Sequence, residues 1–158
     1  MKSQAILRLR ELAWSESRRK FPELPEYART IHPYKANDAN GLTRCIIDFL
    51  KMSGWQAERV AVTGRYIDTS RVVTNVLGQQ KRIGSGKYIP SSMQKGSADM
   101  SATIKGRSIK IEVKYGNDVQ SEAQKEYQMQ VERAGGLYII ARDFDAFMLW
   151  YDSYTANH

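Results

Sequence analysis

The chain has 158 residues, with 24 Lys and Arg against 17 Asp and Glu, a formal charge of +7 and a pI near 9.5. One hydrophobic core is the expectation at this length, and no apolar run approaches the roughly 18 residues of a membrane span. A single cysteine, Cys45, and two histidines, His32 and His158, exclude an intramolecular disulfide and a four-ligand Cys/His zinc site, so hydrolytic chemistry would rest on carboxylates, lysine and a metal. Residues 1–10 mix Lys2, Arg8 and Arg10 with Ile6, Leu7 and Leu9 and lack a signal peptide's apolar middle. A cytoplasmic protein with no membrane partner is expected.

Residues 2–20 read as a basic helix with Ile6, Leu7, Leu9, Leu12 and Trp14 as its apolar members, ended by the prolines at 22 and 25. Residues 26–39 look irregular. The 3- and 4-residue spacing of Leu42, Cys45, Ile46, Phe49 and Leu50 predicts a second helix over 41–53, with Cys45 in the core. Strand-like residues follow at 56–63. Residues 65–95 then carry six cations (Arg65, Arg71, Lys81, Arg82, Lys87 and Lys95) and one acid, Asp68. Their β-prone runs are broken at Gly78 and at Gly84 and Gly86, which predicts a basic hairpin or flap. Strands at 98–104 and 108–115, a helix at 122–134, a strand at 137–141 and a helix at 144–152 complete an α/β class with a mixed sheet. One domain, 1–158, is expected: a helical and irregular extension (1–39), a first core helix and strand (40–64), the basic flap (65–95) and a second core segment (96–158).

The segment from Gly96 to Lys114 is the most informative. Met100, Ala102 and Ile104 alternate with Asp99, Ser101 and Thr103, and Ile109, Ile111 and Val113 alternate with Lys110, Glu112 and Lys114. Lys105 and Gly106 suit a two-residue type I′ turn. Pairing Ile104 with Arg107 then sets Asp99 opposite Glu112, with both faces consistent. Two carboxylates that close repel unless a proton or a cation intervenes. A hard dication would relieve them, and Lys114 adds a positive head further along the same face.

An acid-x-Lys tripeptide alone means little. With 17 acids and 11 lysines in the chain about 1.2 are expected by chance, and one occurs. A solvated strand face with Lys/Glu pairing is the plain alternative. Ser121 and Gln124 form a capping box at the start of the 122–134 helix, which gives Gln124 a purely structural explanation. Ala123, Tyr127 and Val131 make its core-facing stripe.

Taken together, residues 96–99, 111–114, Gln124 and the pair Gly135 and Gly136 resemble the PD-(D/E)xK nuclease superfamily, and within it the virus-type replication–repair nuclease family of phages and bacterial mobile elements. The match covers residues 96–141. The resemblance implies a restriction-endonuclease-like fold in a bacterial or phage-infected cell, and cleavage of DNA with Mg²⁺ or Mn²⁺. It assigns Asp99, Glu112 and the carbonyl of Val113 as metal ligands, Lys114 as the catalytic lysine and Gln124 as a further site residue. Two positions depart from the family: Ala98 stands where proline is usual, and residues 40–43 supply no glutamate on the first core helix, where Asp38 and Asp48 are merely nearby.

Metal-dependent, structure-selective DNA endonuclease is therefore the expected function, with Arg71, Lys81, Arg82, Lys87 and Lys95 contacting nucleic acid. A non-catalytic nucleic-acid-binding module and a basic assembly protein are the alternatives. An N-terminal helix outside the core leaves room for a homodimer.

Overall fold

In the computed structural model, which describes residues 3–60, 65–89 and 94–157, the first helix starts where the Ser3 hydroxyl accepts the Ile6 N–H. This helix, α1 (Gln4–Lys20), ends with the Arg29 guanidinium donating to the carbonyls of Ser17, Phe21 and Leu24. A short 3₁₀ turn at Glu26–Ala28 interrupts an otherwise irregular stretch. Helix α2 (Ala39–Met52) opens on the Asp38 carboxylate, which accepts the Gly41 N–H, and buries Leu42, Cys45, Ile46, Phe49 and Leu50 on the expected stripe.

Contacts divide the chain into two compact units, residues 1–60 with 96–158 and residues 61–95. The first, the body, holds a four-stranded sheet in the order β1 (Gln56–Arg59), β6 (Met100–Ile104), β7 (Arg107–Val113), β8 (Leu137–Ala141). β1/β6 and β6/β7 are antiparallel, whereas β7/β8 is parallel and is bridged by α3 (Glu122–Arg133). The β6/β7 turn has the expected geometry: Lys105 and Gly106 both have positive φ, 49° and 77°, and Ile104 faces Arg107.

One sheet face, with Met100, Ala102, Ile104, Ile109, Ile111 and Val113, packs on α2 and on α4 (Phe144–Asn157). Helix α1 lies against both of those helices and buries Ala5, Leu9 and Ala13. The N-terminal helix is thus part of the core and not an appendage, because its apolar positions find partners within the same body. The other sheet face is covered by α3, no residue of which is fully buried. Trp55 ties the layers by donating its indole N–H to the Tyr151 hydroxyl at 2.8 Å. No helix among the described residues is long and apolar enough to cross a membrane.

The second unit is an antiparallel ribbon: β2 (Arg65–Asp68) pairs with β5 (Gly86–Ile89), and β3 (Arg71–Thr74) with β4 (Gln80–Ile83). Both ladders share one register, Arg65 with Ile89 and Arg71 with Ile83, so they form one long hairpin turning at 75–79. That is the hairpin expected from the sequence. The expected strand residues 61–63 lie outside the described residues.

Candidate active site

Strand β7 places Glu112 on the face opposite Ile111 and Val113, under the start of α3. Glu112 is 2% exposed and Lys114 5% exposed, which removes the reading of a solvated strand face. The Lys114 Nζ lies 3.2 Å from Glu112 Oε1 and 3.4 Å from Asp118 Oδ2. Gln124 Nε2 donates to Glu112 Oε1, and the Tyr138 hydroxyl lies 3.4 Å from Glu112 Oε2. These donors offset part of the cost of burying the carboxylate.

Gln124 fills two roles at once. Its Oε1 accepts the Ser121 N–H and completes the capping box, while its amide nitrogen reaches Glu112. The structural and functional explanations of this side chain are therefore compatible, since the two ends of the amide serve different partners.

Asp99 sits at a bend just before β6, one step beyond the last β6/β7 pair, Met100 with Ile111. Continuing the register sets it opposite Glu112. Its Oδ2 accepts the Val113 N–H at 2.9 Å, and its own carbonyl accepts the Val60 N–H. Burial first, and then the negative charge of Asp99, push the Glu112 carboxyl above its ordinary 4.5, while Lys114 and Tyr138 pull it back. Burial, followed by the Glu112 charge, also pushes the Tyr138 phenol up, so it stays a donor.

Gly96 locks this corner together. Its φ is +82°, and a Cβ there would stand 2.3 Å from the Ala123 carbonyl oxygen and 2.9 Å from the Gln124 nitrogen. The loop leading to Asp99 is thereby pressed against the first turn of the helix that carries Gln124, an approach only glycine permits.

Asp99 and Glu112, whose mutual repulsion a cation would relieve, are the side chains that could hold a hard dication with several waters. Among the described residues no group of three or more acidic, histidine or cysteine side chains is arranged to hold a metal. Neither acid near the first core helix joins the site, because Asp38 caps α2 and Asp48 accepts from the Tyr34 hydroxyl at 3.2 Å. Both line a cleft of about 650 Å³ with His32, Arg44 and Arg59, to which Asp99, Glu112 and Lys114 do not contribute.

Sequence reasoning missed Tyr138, Asp118 and Gln120. Gln120 donates to Gln128 Oε1 at 3.0 Å and holds the Tyr138 phenol pKa down against the effect of burial. The signal for Tyr138 was its place in a strand beside β7, which only the crossover reveals. Of the ribbon cations, Arg71, Lys81 and Lys87 are exposed, and so is Lys95. Arg82 is different: its guanidinium is held by Asp68 at 2.7 Å and by the Ser70 hydroxyl at 2.6 Å. In comparisons with known proteins, no family model matches the chain and no curated protein is significantly similar to it.

Proposed function

We propose that the protein is a Mg²⁺- or Mn²⁺-dependent DNA endonuclease. The observation that carries the reading is the buried Glu112–Lys114 pair, held by Gln124 beneath α3 and opposed by Asp99. A buried ion pair whose carboxylate pKa is raised by burial and a neighbouring acid is a candidate functional site. The sequence resemblance to virus-type replication–repair nucleases points the same way.

Asp99, Glu112 and the Val113 carbonyl would hold the metal, which would supply Lewis-acid polarisation of the scissile phosphate and a water of lowered pKa. Gln124 fixes the Glu112 carboxylate through the amide nitrogen, so the ligand is oriented before metal arrives. Lys114 supplies a positive charge beside the attacking water and the charge that develops at phosphate. Arg71, Lys81, Lys87 and Lys95 draw the DNA backbone by charge.

Linear, nicked, flap and four-way-junction DNA, each incubated with Mg²⁺ and with Mn²⁺, provide the test. Cleavage of at least one substrate, lost in Asp99→Asn, is expected. Salt-sensitive binding with no cleavage of any of the four would overturn the enzyme reading in favour of a non-catalytic binding module.

A further inference from the structure

The tip of the ribbon combines a tightly hydrogen-bonded turn with bare apolar side chains. The Asn75 side chain accepts the N–H groups of Leu77 at 3.0 Å and Gln79 at 2.9 Å, and its amide donates to Gln79 Oε1. Gly78 N–H donates to the Asn75 carbonyl, and Asn75 N–H to that of Gln79. Val76 and Leu77, at the apex, are 103% and 79% exposed. Because the turn's N–H groups at 75, 77, 78 and 79 are satisfied internally, the tip can leave water without losing those hydrogen bonds. Its apolar side chains are also held ready, with little ordering left to do on binding.

The shared register sorts the shaft into two faces. One carries Tyr66, Tyr88 and the Arg82–Asp68 pair. The other carries Arg71, Lys81 and Lys87, interleaved with Ile67, Val73 and Ile83, and no acid. None of these three cations forms an ion pair among the described residues. Lys81 faces Val73 and Lys87 faces Ile67, six residues further from the tip, or about 20 Å of strand.

We infer that this ribbon is a DNA-gripping arm whose Val76 and Leu77 wedge between adjacent base pairs while Arg71, Lys81 and Lys87 follow the phosphates. The inference rests on the DNA-binding half of the function proposed above. A two-stranded ribbon fits a DNA groove, and apolar wedges that part a base step are an established way to kink a duplex. Charge complementarity favours DNA over a lipid surface. Cations spread down the shaft can track a phosphate chain, whereas a flat anionic membrane touched by the tip would meet only the nearest of them.

The experiment uses the full chain without metal, so that cleavage does not intrude, and duplexes carrying 2-aminopurine, whose fluorescence rises when it is unstacked. Wild type should bind with a marked fluorescence rise. Val76→Ser/Leu77→Ser should lose that rise and keep its salt slope, with affinity changed by no more than about tenfold, because burial of the two side chains and the cost of unstacking oppose each other. Arg71→Ala/Lys81→Ala/Lys87→Ala should instead flatten the salt slope by about one unit per lost phosphate contact. A rise that survives in the tip variant, or wild-type binding with no rise, overturns the wedge and leaves DNA binding standing. Wild type that binds no DNA overturns both. Binding to phosphatidylserine vesicles that the tip variant loses, with no base response, assigns the tip to a membrane and overturns the inference.

Discussion

Charge is handled in opposite ways in the body and in the ribbon. In the body Glu112 and Lys114 are almost fully buried, and each has partners at hydrogen-bonding distance. In the ribbon Arg71, Lys81 and Lys87 stand in water and pair with nothing described. Burying a charge is costly unless geometry repays it, so a buried pair constrains its surroundings tightly. Exposed cations constrain almost nothing locally, yet add up over distance when the partner is a polyanion. Under the function proposed, one region would serve chemistry at a point and the other attraction along a line.

Breaking the buried side should have the largest effect. Glu112→Gln replaces the carboxylate proposed as a metal ligand by a neutral amide, and should lose metal affinity together with cleavage. A metal in the proposed role would contribute several kcal/mol of transition-state stabilisation, so a fall of about 10³-fold or more is expected in a cleavage assay. Metal titration and cleavage should fall together; cleavage without measurable metal affinity would break the comparison.

Gly96→Ala comes next. A methyl group against the Ala123 carbonyl and a strained positive φ should cost about 1–3 kcal/mol in chemical denaturation. Cleavage should drop by more than that stability loss explains, because the contact aligns the Asp99 loop with the turn carrying Gln124. A variant as stable and active as wild type would dissolve that link.

A subtler effect follows from the raised Glu112 pKa. Between its ordinary 4.5 and the raised value, the folded protein holds a proton that the unfolded chain has released. Metal-free wild type should therefore lose stability, relative to Glu112→Gln, as pH rises through that window. Below 4.5 both states are protonated and the difference levels off. Denaturant midpoints measured across the window check the sign, and a difference that grows in favour of wild type contradicts it.

The smallest effect sharpens the ribbon side. Arg82→Ala should change the salt dependence of DNA binding less than Lys81→Ala, because Asp68 already neutralises Arg82. Equal slope changes would mean that the ion pair opens on DNA.

Much of this was legible in the sequence because local rules sufficed. The Lys105 and Gly106 turn sets the β6/β7 register, and that register alone brings Asp99 opposite Glu112. The α2 stripe and the Ser121 capping box are likewise short-range patterns. Tyr138 joins Glu112 through a parallel pairing across a whole helix, for which no local pattern exists. The burial of Lys114 was hidden for the same reason, since alternation marks a face but not what covers it. Helix α1 reads as an amphipathic extension, and only the shape of α2 and α4 shows that its apolar face is taken. Arg82 reads as one basic residue among six until the ribbon register brings Asp68 beside it.

The most direct test is the comparison of Lys114→Ala with wild type, scored for Mn²⁺ affinity, metal-free DNA affinity and cleavage under the same conditions. Asp99, Glu112 and the Val113 carbonyl remain in the variant, so metal should still bind, and DNA affinity should fall only by the loss of one cation. Cleavage should fall by about 10²–10³-fold or more, because the ammonium acts on charge that develops in the transition state. Equal cleavage by the two proteins would reduce Lys114 to a structural partner of Glu112 and contradict the catalytic role proposed for the pair.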